Sequence, residues 1–353
     1  VYLAWDAEDA PQLQIHRNND LTPELEGLLD GYFDAAGRFT GRMPDDFFRF
    51  SELVENRGDV HLGEDALDFA RHLAADAAHR LRAEKIRTQI FAGNGRLPRV
   101  KARLYPYQVE GVAFLAGTGR ALLADDMGLG KTLQAIAAAS WLQEHEGVRK
   151  ILVICPASLK QQWAREIERF TTRDVQIIQG PADERGVQYR READFAIINY
   201  ELVLRDFSVI NEALRPDLII MDEAQRIKNW RTKIATAVKS IPSRYAFVLS
   251  GTPLENRLED LYSLMQVVDP KVLGPLWRFL VDFHVTDERG KVLGYRNLSV
   301  LRKRLEPVML RRDRRLVRDQ LPDRIVQRMD VPTVSYTHLR AHETVLDLVC
   351  RLL

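Results

Sequence analysis

Between residues 118 and 250 the chain keeps returning to one texture, a short apolar run followed by an amphipathic helical stretch. The runs are Arg120 to Ala124, Ile151 to Cys155, Val175 to Gln179, Phe195 to Asn199, Leu218 to Met221 and Ala246 to Leu249. Each is long enough for one strand and apolar throughout, the pattern of strands buried on both faces, and helices between them supply the crossovers that parallel strands need. An α/β lobe with a parallel sheet between helices is therefore expected. The clearest helices are Thr132 to Trp141 and Ser158 to Phe170; the second places Leu159, Trp163, Ile167 and Phe170 on one side, with Ser158 positioned as its cap.

The preceding residues read differently. Thr22-Pro23-Glu24-Leu25 has a capping threonine and a proline for a first helical turn, and Glu64 to Ile90 carries apolar residues at helical spacing, so that Leu67, Ala70, Ala74, Ala77 and Leu81 would share one face. A mainly helical region of unknown role is thus expected over residues 1–95, closing at the turn Ala92-Gly93-Asn94-Gly95. A length of 353 residues has room for about two such units. No apolar stretch approaches the ~18 residues of a membrane span, and Val1 to Pro11 lacks a basic segment leading into an apolar run, so a cytoplasmic protein without membrane partners is expected. Residue 1 is valine rather than methionine, so a natural beginning further upstream is expected. Two cysteines, Cys155 and Cys350, make neither a disulfide framework nor a zinc set, and His61, His72 and His79 lack ligand spacing.

The first apolar run leads into Asp125-Asp126-Met127-Gly128-Leu129-Gly130-Lys131-Thr132 and then directly into a helix. Glycines let backbone N–H groups curl around phosphate oxygens, and the helix N-terminus adds its positive dipole end. Lys131 would reach the β and γ phosphates and Thr132 would hold magnesium, which makes ATP with Mg2+ the natural ligand. Asp125 stands where the strict pattern has a glycine, so the motif alone is incomplete. Its candidate ligand-binding residues are Asp125, Met127, Gly128, Leu129, Gly130, Lys131 and Thr132.

Ninety-one residues beyond Lys131, the run Leu218 to Met221 ends in Asp222 and Glu223. Neighbours at a strand end point in different directions, so Asp222 can coordinate the metal while Glu223 orients or deprotonates the attacking water. A third strand, Tyr245 to Leu249, ends in Ser250-Gly251-Thr252-Pro253, whose small residues can sense the γ phosphate through Gln225 or simply cap a helix. Lys131, Asp222 and Glu223 are the candidate catalytic residues; Gln225, Ser250, Gly251 and Thr252 are the candidate coupling residues.

The formal charge of +1 hides a polarity: residues 1–95 hold 10 basic against 18 acidic side chains, whereas Arg302 to Arg328 holds 10 against 4. The cluster Arg311, Arg312, Arg314 and Arg315 reads equally well as a solvated face or as a patch for phosphates.

Leu104-Tyr105-Pro106-Tyr107-Gln108-Val109-Glu110-Gly111, Asp125 to Thr132, Asp222 to Gln225 and Ser250 to Asn256 occur in an order that resembles Swi/Snf-type ATPases, the double-stranded DNA translocases of helicase superfamily two, in a bacterial form. The likeness runs from about Lys101 to Val331. It implies a RecA-like lobe over 96–315, the start of a linker over 316–333, and a second RecA-like lobe elsewhere. It also makes Asp125 ordinary in its place, assigns adenine recognition to Gln108, and turns Pro156, Ser158 and Leu159 towards a DNA backbone. Tyr200 stands in the next polymer-facing segment or, equally, in the core, and Arg311 and Arg312 lie in the passage towards the second lobe, bridging lobe and DNA. The implied partner is double-stranded DNA, with a DNA-bound protein or polymerase complex as the object moved, in a cytoplasmic, nucleoid-associated setting. A strand-separating helicase and a nucleotide-binding scaffold without turnover are the alternatives. Val334 to Leu353 departs from the family and resembles translated adapter sequence or, alternatively, an amphipathic helix.

Overall fold

The computed structural model describes residues 1–5, 11–18, 21–227, 229, 232–251, 258–287, 289 and 291–320. Seven strands form one sheet: β1 (Arg120–Leu123), β2 (Ile151–Cys155), β3 (Val175–Ile177), β4 (Phe195–Asn199), β5 (Leu218–Met221), β6 (Tyr245–Leu249) and β7 (Met309–Leu310). Their order across the sheet is β7-β1-β6-β5-β2-β4-β3, and every pairing is parallel. The expected strands are present, with ends moved by one or two residues; the third stops at Ile177, just before the left-handed turn at Gly180. The edge strand β7 was not expected, since two residues are too few to show a period.

Alternation divides the strands between two cores. Leu122, Leu152, Ile154, Ile198, Ile219 and Val248 face one side, and Ala121, Leu123, Val153, Ile197, Ile220 and Phe247 face the other. The second side is covered by α1 (Glu64–Ala92, through its C-terminal end), α2 (Pro106–Thr118), α3 (Lys131–His145) and α4 (Lys160–Phe170), and the first by α5 (Lys233–Lys239) and α6 (Leu258–Val268). Cys155 ends β2 inside the core, where burial pushes its thiol up to about 12. Ser158 does not cap α4; it lies in a 3-10 turn over Ala157–Leu159, and the helix starts on Leu159 without a side-chain cap.

The N-terminal residues build a third core from Leu13, Leu25, Leu29, Phe33, Phe47, Phe50 and Val54 against Ala66 and Ala70. Helices Pro23–Asp30 and Asp45–Val54 pack with an antiparallel strand pair that precedes them, Tyr2–Trp5 with Pro11–Gln14, and Thr22 caps the first helix by accepting from Leu25 N at 3.3 Å. The expected apolar face of α1 is only partly used. Ala70 is buried, but Ala77 is exposed and Leu81 is 74% exposed. The helix serves two cores, Ala66 and Ala70 at one end and Ile86 and Ile90 at the other, so no single stripe runs its length. Val1–Gln320 form one compact unit. His72 Nε2 meets Asp269 Oδ2 at 3.1 Å and Lys271 meets Asp68 at 3.3 Å, tying α1 to the loop after α6. Among the described residues no helix is long and apolar enough to cross a membrane.

Candidate active site

The turn between β1 and α3 is shaped by two glycines. Gly128 has φ 84° and Gly130 φ 71°, in the left-handed region where a side chain is strained, and Gly130 is the cap residue from which α3 starts. The loop is thereby folded so that the first turn of α3 opens towards its concavity. Lys131 turns back into it, its Nζ donating to the carbonyls of Asp125 at 2.7 Å and Asp126 at 3.2 Å. Burial pulls its ammonium below the ordinary range, against the pull of Asp125, Glu223, Asp222 and Asp126. Thr132 is half-buried beside it; Leu129 is anchored in the core and Met127 is exposed.

Asp222 and Glu223 follow β5, which is the next strand but one from β1, with β6 between them. Two inter-strand spacings make about 10 Å, a gap suited to a triphosphate tail with its metal. The strand that carries the third motif thus lies between the other two. Ser250 is buried at the tip of β6, and a Cβ placed on Gly251 would press on Met127 Cγ at 3.1 Å and reach ordinary contact with Lys131 Nζ at 3.6 Å, so the third motif abuts the phosphate loop. Thr252 lies outside the described residues.

Every polar group of Asp222 is engaged. Oδ2 accepts from Trp163 Nε1 at 2.8 Å, Oδ1 from the Glu223 amide at 2.9 Å, and the backbone carbonyl from Tyr200 Oη at 2.7 Å. Burial pushes its carboxyl upward, and the indole hydrogen bond opposes that. Glu223 adopts φ 48°, an unusual conformation for a residue with a side chain and one that gathers at functional sites. Its Oε2 accepts from Gln225 Nε2 at 2.6 Å, while Gln225 Oε1 is buried and finds no donor among the described residues. That orphaned acceptor is what a water held beside Glu223 would satisfy. The Thr132 hydroxyl and Asp222 carboxylate are hard oxygen donors that suit Mg2+. Among the described residues no group of three or more His, Cys, Asp or Glu could cage a metal.

Behind the loop lies a buried polar knot that corrects two assignments. Arg312, at the end of β7, is 7% exposed; its Nε and Nη2 clamp Asp125 Oδ1 and Oδ2 at 3.0 and 2.5 Å, and its backbone N–H also donates to Oδ1. It further donates to the Tyr107 carbonyl and to Gln134 Oε1. Arg312 is therefore not a surface contact for DNA, because the edge strand carries it inward under β1. The Asp125 carboxylate is likewise consumed by this clamp and offers nothing to a nucleotide; only its backbone carbonyl faces Lys131. Gln108 is buried alongside, its Nε2 lying where a Cβ on Gly130 would come within 2.7 Å, and its Oε1 accepts from Tyr105 N.

Of the two places expected for Tyr200 the structure shows the core: it is buried, and its hydroxyl points at Asp222 rather than outward. Pro156, Ser158, Leu159 and Arg311 stay half-buried or exposed, the first three at the carboxyl end of β2 on the rim of the site. Gln134 and Trp163 are site residues missed from the sequence. Gln134 is the polar interruption in Leu133-Gln134-Ala135-Ile136, and Gly111 has no side chain because a Cβ there would sit 1.8 Å from Gln134 Oε1. Trp163 was placed on an apolar face, where a buried indole N–H still requires an acceptor.

A family model described as SNF2-related domain matches residues 107–344. The chain is 34% identical over 227 residues to an ATP-dependent helicase of Mycoplasma pneumoniae, covering 62% of this chain and 21% of that protein. It is 32% identical over 256 residues to the TATA-binding protein-associated factor MOT1 of Saccharomyces cerevisiae, covering 65% and 14%. Among solved structures, the SWI2/SNF2 ATPase core of Sulfolobus solfataricus in complex with double-stranded DNA is 32% identical with a TM-score of 0.56, covering 65% of this chain and 49% of that one. The ATPase core domain from the same organism gives 33% and 0.53, over 64% and 46%. The chain spans half or less of the length of each of these relatives.

Proposed function

Because the chain belongs to the SNF2-related family, with a RecA-like α/β lobe and the family's motifs in order, we propose that it is the first motor lobe of an ATP-dependent translocase of double-stranded DNA that remodels protein–DNA complexes. The observation that carries this reading is the placement of Lys131, held on its loop's carbonyls at the carboxyl edge of the sheet and in the field of both Asp222 and Glu223. Ligands of open parallel sheets bind at this edge.

In the proposed cycle Lys131 exchanges the two loop carbonyls for β and γ phosphate oxygens, while N–H groups of the first turn of α3 hold the remaining ones. Thr132 and Asp222 would hold Mg2+, which when bound would supply charge neutralisation to the substrate. Glu223 accepts a proton from the attacking water, and Gln225 Oε1 accepts the other hydrogen bond of that water, so the nucleophile is oriented by two neighbouring side chains. Ser250, Gly251 and Thr252 report the γ phosphate. Gln108 stands on the flank of the loop, where adenine is read. Arg311 and the rim residues Pro156, Ser158 and Leu159 face duplex DNA.

Transition-state arginines are assigned to a second RecA-like lobe. They contribute about three to five orders of magnitude in rate, so this lobe alone binds Mg·ATP and turns it over slowly. Residues 1–95 are an accessory helical region, and the setting is the cytoplasm, on the nucleoid.

The test is ATP hydrolysis by a chain extended through the second lobe, with duplex DNA, single-stranded DNA and RNA as effectors, alongside a strand-displacement assay. Duplex-specific stimulation without unwinding is the expected outcome. Unwinding would instead establish a helicase, and nucleotide binding with no turnover under any effector would establish a scaffold. Duplex affinity should also fall steeply with salt, as phosphate contacts release counterions.

A further inference from the structure

Asp222 is reached by two buried aromatic side chains from two different surface segments. Trp163 lies one turn into the helix that follows the rim turn Pro156–Leu159; it is 1% exposed, and its only polar atom donates to Asp222 Oδ2 at 2.8 Å. Tyr200 stands between Asn199 and Glu201, which bond to each other at 2.7 Å on the surface at the end of β4, and its hydroxyl donates to the Asp222 carbonyl at 2.7 Å. The three strand ends involved, β2, β4 and β5, are adjacent in the sheet. Neither aromatic belongs to the phosphate loop, and neither is placed to touch a nucleotide.

We propose that Trp163 and Tyr200 are positioning residues that fix the metal-binding aspartate and transmit to it the displacement of the two surface segments when duplex DNA docks on them. The inference rests on the nucleotide site and the Pro156–Leu159 DNA face proposed above, and extends that face to the Asn199–Glu201 segment. The physical argument is rigidity. A carboxylate that ligates Mg2+ must present one lone pair at a set angle, and outer partners of metal ligands set that angle. Here the partner of Oδ2 is an indole locked in a close-packed core, unable to change rotamer without moving α4. A shift of the Pro156–Leu159 turn moves the start of α4, hence the indole, hence the aspartate. Tyr200 acts in the same way on the backbone of the same residue, so the carboxylate and its own main chain are each held from a different segment.

The test uses this chain with a fluorescent N-methylanthraniloyl-ADP probe, titrated with Mg2+ in the presence and absence of duplex DNA. Removing the indole N–H by Trp163→Phe should raise the half-saturating Mg2+ concentration about tenfold or more, the usual consequence of losing an outer partner, while affinity for metal-free nucleotide stays within twofold. In the wild type duplex DNA should lower the Mg2+ midpoint; in Trp163→Phe it should not. Tyr200→Phe deletes one hydroxyl from an intact core position and carries the same two readouts if the tryptophan variant does not fold. A purely structural role would weaken probe binding equally with and without Mg2+, and that result overturns the inference, as does a wild-type Mg2+ demand in both variants. Wild-type chain that binds no probe overturns the nucleotide-site reading and this inference together. Wild-type binding with a Mg2+ midpoint indifferent to duplex overturns the transmission alone.

Discussion

Arg312→Met tests the buried clamp most directly. In the folded chain Asp125 is completely enclosed, and Arg312 supplies a backbone N–H, Nε and Nη2 to its two oxygens. Methionine fills much of the same volume but leaves a carboxylate whose remaining partners are the backbone N–H and Gln134 Nε2 at 3.3 Å. Breaking a buried pair by removing one partner costs about 3–5 kcal/mol, most of it the uncompensated charge. Arg312→Met should therefore destabilise by that amount in urea unfolding, whereas Arg311→Ala, one residue away and exposed, should stay within roughly 0.5 kcal/mol. Adding Asp125→Asn to Arg312→Met removes the orphaned charge and should recover roughly 2 kcal/mol or more, an interaction free energy that separated sites do not show. The reasoning is refuted if Arg312→Met costs under 1 kcal/mol, or if the second substitution adds to the loss instead of offsetting it. Either result would return Arg312 to the surface.

Lys131→Ala should abolish nucleotide binding in the probe assay; in the chain extended through the second lobe, Glu223→Gln should keep binding and stop turnover, and normal turnover would dismiss Glu223 as the group acting on water. Lys239, half-buried and donating to Ser263 Oγ at 3.1 Å, has its ammonium pulled down to about 8 by partial burial. Its folded value lies below its unfolded one, so the unfolded chain binds more protons between about 8 and 10.5 and stability rises with pH across that window. Because Lys239 is only half-buried and solvent screens its charge, Lys239→Met should gain no more than about 1 kcal/mol at neutral pH and nothing above the window; a gain that does not fade in alkaline urea titrations would contradict the assignment. His72 is raised by its hydrogen bond to Asp269, opposed by partial burial, with Asp76 adding to the rise and Lys271 resisting it. Here the folded value is the higher one, so the contribution is complete below the unfolded pKa and lost as pH climbs through the folded value. With His72 nearly half exposed the loss from about pH 6 to about pH 8 should stay under ~1 kcal/mol, and His72→Gln should flatten it; an unchanged pH slope in that variant would exclude the His72–Asp269 tie as its source.

The strands were legible because enclosure on both faces demands unbroken apolar runs, and the phosphate loop because Gly128, Gly130 and Lys131 are each required by backbone geometry or charge. Sheet order was not legible: nothing in Tyr245 to Leu249 says that it lies between the strands that carry Lys131 and Asp222. Among Arg311, Arg312, Arg314 and Arg315 the one that turns inward is chosen by a two-residue edge strand, which leaves no period to read. Trp163 and Tyr200 looked like packing because most of their surface is packing; their polar atoms, a small part of each side chain, do the work at Asp222. The face of α1 was misjudged at Leu81 for a different reason, since a helix shared by two cores has no continuous stripe.

The knot at Asp125 also fixes where the polypeptide departs. Arg314 N–H donates to Asp126 Oδ2 and Gln320 Oε1 accepts from Tyr107 N–H, so the last described turn is stitched to the phosphate loop and to the first turn of α2. Strain entering the chain at Gln320 would therefore reach the cradle through these two hydrogen bonds.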